Sequence, residues 1–237
     1  MSERHGILET IFDTLAPVHQ DGHKFVGAGA LAALLFFVLW PPLGWLLAGV
    51  TAWIIYFFRD PARVTPMRDG LVVSAADGRI SSIEKVRPPP ELGLGPEERV
   101  RISTFLSIFD VHIQRAPVSG RIVRSVYIPG AFLNAASDKA SEENERRAIV
   151  IEMPGGGEIG VVQIAGLIAR RIVTFSREGD TIAAGHRFGL IRFGSRVDVF
   201  LPPGRNALVS VGQRAIAGET VFADLKSQEP EREARSA

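Results

Sequence analysis

A serine that follows a glycine can turn on its own backbone. In Arg192-Phe193-Gly194-Ser195-Arg196-Val197-Asp198, the Ser195 hydroxyl can attack the Gly194 carbonyl and convert the Gly194–Ser195 amide into an ester. Glycine leaves that carbonyl uncrowded and tolerates the strained backbone that the attack needs. The ester is a leaving group on a β-carbon. Elimination splits the chain, leaving a carboxylate on Gly194 and a dehydroalanine at position 195. Hydrolysis then releases ammonia and leaves a pyruvoyl group, a ketone made from the chain itself. Around the pair, Ile191 and Phe193, then Val197, Val199 and Leu201, alternate with polar residues like two half-buried strands. A small pair between strands also makes a bulge or tight turn, so spacing alone leaves both readings open.

Other stretches carry groups for proton transfer or anion binding. Asp77 sits in Ala76-Asp77-Gly78, which is also a common turn signal. His112, in Asp110-Val111-His112-Ile113-Gln114-Arg115, is either a satisfied, half-buried histidine or an acid/base near neutral pH. Arg115 is a surface arginine or a bidentate fork for phosphate or carboxylate. Ser195, His112 and Asp77 could also supply a hydrolase triad, but the segment has no Gly-x-Ser-x-Gly elbow. There is no cysteine, and the five histidines lack metal-ligand spacing, so disulfides, thiol catalysis and a metal centre are not expected. With 27 Lys and Arg against 26 Asp and Glu, nothing favours nucleic acid.

The elements that must position these groups fall into three parts. Residues 1–60 read as membrane-associating. Ile7, Leu8, Ile11, Phe12 and Leu15 make an amphipathic helix, and from Phe25 to Phe58 there is no charged residue. Pro41-Pro42 divides that run into Phe25–Trp40 and Leu43–Phe58, a hairpin rather than one long span. Lys24, Arg59 and Arg63 flank it, so both ends are expected on the cytoplasmic side of a membrane, with the protein either peripheral or hairpin-anchored.

Residues 61–225 read as a mainly β domain. Strands are expected at 70–74 and 78–83 around the Ala76-Asp77-Gly78 turn, and at 99–105, 120–128, 147–153, 158–164 and 169–175, with an irregular loop over 87–98. Ala207 to Gln213 and Ala217 to Val221 form a strand, Gly-turn, strand pattern that resembles the hammerhead half-barrels of biotinyl and lipoyl carriers, without their modified lysine. Residues 226–237 read as a flexible tail.

The Phe-Gly-Ser-Arg-Val-Asp segment, with Asp77-Gly78 and Asp110-Val111-His112, resembles the short bacterial form of the phosphatidylserine decarboxylase family, over about residues 5 to 225. The resemblance implies a zymogen that cleaves itself between Gly194 and Ser195 into a β chain (1–194) and an α chain (195–237). A Ser195-derived pyruvoyl cofactor would then convert phosphatidylserine to phosphatidylethanolamine and CO2 through a Schiff base. It further implies that Asp77 orients the base for cleavage and that His112 protonates the carbanion.

Longer members carry two histidines three residues apart before a Pro-x-x-Gly. Counted back from Pro117 and Gly120, the first falls on His112 and the second on Arg115. His112 serving both steps and Asp77 acting directly as base are both left open, with His186 a remote third. The Asn144-Glu145-Arg146 piece is similar to the family's, which implies that Asn144, like Arg115, borders the substrate. A noncatalytic membrane adaptor and the same chemistry on another serine phospholipid are the alternatives. Homo-oligomerisation is left open.

Overall fold

The computed structural model describes residues 16–130, 144–166, 171–192, 195–232 and 234–235, and the chain divides into two compact units that meet between Ala62 and Arg63. The expected amphipathic helix over 7–15 lies outside the described residues.

The first unit is a helical hairpin. Helix α1 (Gln20–Leu39) is about 30 Å long at 1.5 Å per residue, and α2 (Pro41–Phe57) about 25 Å. By length and composition α1 is apolar enough to cross a membrane, with a mean hydropathy of 1.7. Pro41 and Pro42 stand at the junction of the two helices. They open α2, where the missing N–H groups would have no intrahelical partner anyway. The first helix begins at Gln20, earlier than expected, because the His19 side chain accepts the Asp21 amide and caps it. An antiparallel bridge pairs Val18 with Arg59, and the Asp60 amide reaches the Pro17 carbonyl at 2.7 Å, so the two ends of the hairpin lie together. Close packing is made by small residues: a Cβ at Gly29 would stand 2.6 Å from Thr51 Oγ1, and one at Gly44 2.8 Å from the Phe37 amide nitrogen. The outward side chains, among them Leu31, Val38, Leu39 and Trp45, are exposed and apolar.

The second unit is mainly β and curls into a half-barrel. Its strands are β1 (Leu71–Val73), β2 (Gly78–Val86), β3 (Arg99–Leu106), β4 (Ile113–Arg115), β5 (Gly120–Ile128), β6 (Arg146–Glu152), β7 (Glu158–Ala165), β8 (Ile172–Thr174), β9 (Thr181–Ile182), β10 (Arg187–Ile191), β11 (Ser195–Phe200), β12 (Arg214–Ala215) and β13 (Val221–Asp224). Among the described residues they form an eight-stranded sheet in the order β12-β2-β3-β11-β7-β6-β5-β9, a three-stranded sheet β4-β10-β8 and the pair β1-β13. All three contribute to one core, through residues such as Val72, Ile102, Val161, Phe188, Val197 and Phe222. A second cluster covers the opposite face of the large sheet, where Leu92 and Leu94 pack on Val150, Val162, Ile164 and Phe200. The segment expected as an irregular loop over 87–98 thus supplies the lid of that face, anchored by a 3-10 turn at Pro90–Leu92.

Two local expectations are revised. The runs on either side of Ala76-Asp77-Gly78 are not a hairpin: β1 pairs with β13, whereas β2 pairs with β12 and β3. Only glycine fits at position 78, since a Cβ there would lie 2.1 Å from the Phe105 carbonyl oxygen. The run 207–213 is largely turn, because Gly212 adopts φ +91° and the Gln213 side chain accepts the Ser210 amide. In the C-terminal stretch, Asn206 Nδ2 and Ser210 Oγ donate to the carbonyls of Glu229 and Arg232.

Candidate active site

Ser195 is the first residue of β11, at the centre of the large sheet. It pairs with Leu106, the last residue of β3, on one side and with Ala165, the last of β7, on the other. The side chain is fully buried on the face shared with Val197 and Val199, and its Oγ has no hydrogen-bond partner among the described residues. A hydroxyl kept dry without a partner loses about 1–3 kcal/mol relative to water, which marks a place where sequence serves chemistry before stability. Gly194 lies outside the described residues.

His112 is carried to the same end of the fold from two directions. The turn 107–112 leaves β3 immediately after Leu106, the partner of Ser195, and delivers His112 to the start of β4. Its carbonyl accepts the amide of Ile191, at the end of β10 and four residues upstream of Ser195, and also the Gln114 side chain at 2.8 Å. The ring is fully buried, and Nδ1 lies 2.9 Å from the Asp110 carbonyl. A carbonyl can only accept, so in the neutral ring Nδ1 bears the proton and Nε2 is the basic nitrogen. Asp110 is itself fixed: Oδ2 accepts from the amide and hydroxyl of Ser107, and Oδ1 meets the Arg214 guanidinium.

Asp77 stands at the same end of the sheet, two strands across. Arg79 faces Phe105, which faces Arg196, so Asp77 and Ser195 precede one row by two residues and one. Two strand spacings make that separation roughly 10 Å. Both carboxylate oxygens of Asp77 already accept: Oδ2 from Arg63 at 2.6 Å and Oδ1 from the Ala217 amide at 2.8 Å. Asp77 thus bridges Arg63 and the Ala217 amide. Arg115 is buried, not on the surface. It donates to the Gly185 carbonyl at 2.9 Å, and its Cδ lies against Gly218, beside the Asp77–Ala217 contact. Asn144, just before β6, is two strands across on the other side, and its Nδ2 donates at 2.7 Å to the carbonyl of Ala165, the β7 partner of Ser195. His186 adjoins Arg115, its carbonyl accepting the Ala116 amide, and it lines a wide recess of about 560 Å3 with Ser119, Arg121 and Met153.

The geometry therefore gathers Ser195, His112 and Asn144 about the end of β11, with Asp77 and Arg115 in a neighbouring cluster. Three features were not singled out from the sequence. Arg196 and Asp198 form a two-bonded ion pair at 2.8 Å on the other face of β11, both nearly fully buried. Gln114 and Gln163 are fully buried and hydrogen-bonded to each other at 2.9 Å. Their only sequence signal is an uncharged polar residue inside an apolar run. Arg63, read as a membrane flank, holds Asp77.

The family model described as phosphatidylserine decarboxylase matches residues 50–223. A phosphatidylserine decarboxylase proenzyme from Nitrobacter winogradskyi is 60% identical over 212 residues, covering 90% of this chain and 86% of that protein. A match of that extent takes in both strands that flank Gly194–Ser195 and the turn that carries His112, and on it the chain belongs to the phosphatidylserine decarboxylase family.

Proposed function

We propose that this chain is a proenzyme that cleaves itself between Gly194 and Ser195 and then decarboxylates phosphatidylserine to phosphatidylethanolamine. The observation that carries the reading is a buried Ser195 hydroxyl without a hydrogen-bond partner among the described residues, at the end of β3 and β10 to which the turn 107–112 also brings His112, in the tautomer that leaves Nε2 basic. His112 Nε2 takes the Ser195 proton during self-cleavage and later delivers a proton to the carbon that has lost CO2. The dry, apolar face around Ser195 suits a pyruvoyl group at that position. When formed, the group supplies a ketone for the substrate amine and a sink for the electrons released with CO2.

Asp77 acts as a positioning residue. It ties Arg63 and the Ala217 amide together across the two pieces that cleavage creates. Arg115, already bonded to Gly185, stands in for the second histidine of longer relatives without replacing its basicity.

The test is the intact mass of the purified protein under denaturing conditions, with a vesicle assay for conversion of the serine lipid. Two fragments meeting at Gly194/Ser195, the smaller lacking ammonia and reacting as a ketone, are expected, together with release of CO2. One uncut chain of 25.7 kDa from folded protein sinks the reading.

We further propose that the helical hairpin anchors the protein in the inner membrane with both ends on the cytoplasmic side, since the substrate's acyl chains stay in the bilayer. The exposed apolar faces of α1 and α2 and the joined ends at Val18 and Arg59 support it. Full-length protein should float with phospholipid vesicles, and Leu35→Glu with Val38→Glu should weaken flotation at least about tenfold, given roughly 3 kcal/mol for a carboxylate in the apolar layer. Unchanged flotation by the double variant would remove the hairpin from membrane binding.

A further inference from the structure

A chain of buried amides leads away from His112, and its polarity is forced. The His112 carbonyl can only accept, so the atom of Gln114 that meets it at 2.8 Å is Nε2. Gln114 therefore turns Oε1 toward Gln163, which must answer with its own Nε2, at 2.9 Å. The atom left at the end of the chain is Gln163 Oε1, an acceptor. It is fully buried and has no hydrogen-bond partner among the described residues.

Gln163 shares the face of Ser195. It pairs directly with Val197 of β11, two residues before Ala165, the partner of Ser195. The Cα atoms of such a diagonal pair lie about 7–8 Å apart, within reach of a long side chain. Its amide lies over Gly189 of β10, where a Cβ would stand 2.7 Å from Nε2 and 3.4 Å from Oε1. Thr174, opposite Gly189 in β8, has a second buried hydroxyl without a partner among the described residues. Gly189 thus clears the space that the amide occupies, and the relay holds one buried carbonyl oxygen on the face of the sheet that carries Ser195.

We propose that Gln163 is a specificity-determining residue that accepts a hydrogen bond from the headgroup amine, with Gln114 fixing its orientation; this rests on the decarboxylase reading above. The amine must come to residue 195 for its chemistry, and a primary amine brings N–H donors that a trimethylated headgroup lacks. A carbonyl acceptor at that spot binds the first and offers nothing to the second. The same relay ties headgroup recognition to the position of His112, because Gln114 grips the His112 carbonyl.

The experiment compares wild type with Gln163→Met and Gln114→Met. Self-cleavage is read by intact mass, and kcat and KM on phosphatidylserine micelles. Binding of glycerophosphoethanolamine against glycerophosphocholine is measured by calorimetry on cleaved protein reduced with borohydride, so that no ketone can condense with the amine. Gln163→Met should cleave as wild type does, raise KM about 10- to 100-fold, the loss expected for a hydrogen bond to a charged group, and lose the preference for the primary amine. Gln114→Met should show a smaller rise in KM with the preference reduced.

A cleaved Gln163→Met protein with wild-type KM and an intact amine preference overturns the proposal. If that variant does not accumulate as folded protein, Gln114→Met decides: without the partner that orients the Gln163 amide the preference must fall, and an unchanged preference counts against the proposal. A wild type that neither cleaves nor releases CO2 instead overturns the underlying reading and this proposal with it.

Discussion

Ser195→Ala protein is expected to remain one chain of 237 residues and to show no decarboxylation, while His112→Ala should cleave about 10²- to 10⁴-fold more slowly. The two losses have different causes. Alanine at 195 removes the only oxygen that can attack the Gly194 carbonyl, so no change of pH or time restores the cut. Alanine at 112 removes the nitrogen that takes the proton but leaves the serine, so slow cleavage assisted by solvent remains. His112→Gln sharpens the test, since a glutamine can fill the buried space without a basic nitrogen. Time courses of band conversion after synthesis in a cell-free system measure all three. His112→Ala cleaving at the wild-type rate would hand the proton to another group, and Asp77 would then have to release Arg63 or Ala217 to take it.

The second large effect is on stability. Asp198→Ala is expected to destabilise the fold by about 3–5 kcal/mol, because it takes the two-bonded carboxylate away from a buried guanidinium, that of Arg196. The two side chains are only 4% and 3% exposed, so water cannot take over the solvation that Asp198 provides. Removing both charges should be milder: Arg196→Met with Asp198→Leu keeps volume and leaves neither charge of the pair buried without the other. Urea midpoints in a Ser195→Ala background give the comparison on an uncut chain. A double variant as unstable as the single one would show that the pair contributes more than mutual neutralisation.

This ion pair also marks where reading the sequence stopped. Alternation in Ser195-Arg196-Val197-Asp198-Val199 gave the strand, and the assumption of one wet face placed Arg196 and Asp198 in solvent. The wet face does not exist, because the Pro-rich stretch before Leu92 and Leu94 folds back over it. That closure is a long-range event with no local signature. The strands at 99–106, 120–128 and 158–165 were legible from pattern alone, since each is long and bounded by Gly, Pro or charged residues. Pairing partners were not: Asp77-Gly78 looks like a hairpin turn, yet the strands beside it join different sheets. Among site residues, Ser195 and His112 stood out because their chemistry is distinctive. Gln163 did not, because its significance depends on the direction of a hydrogen-bond chain that only three dimensions reveal.

The placement of β11 changes the order of the folding reaction itself. Uncut, the chain gathers its sheets as a unimolecular process. Once cut at Gly194/Ser195, the smaller piece would own the central strand of the large sheet, hydrogen-bonded on both sides along its whole length, together with β12 and β13. Native protein would barely register the break. Unfolded protein would, because regaining the sheet then requires two separate polypeptides to meet. Recovery from heat or urea should accordingly depend on protein concentration after processing but not before. Mature molecules would survive by unfolding slowly rather than by refolding well.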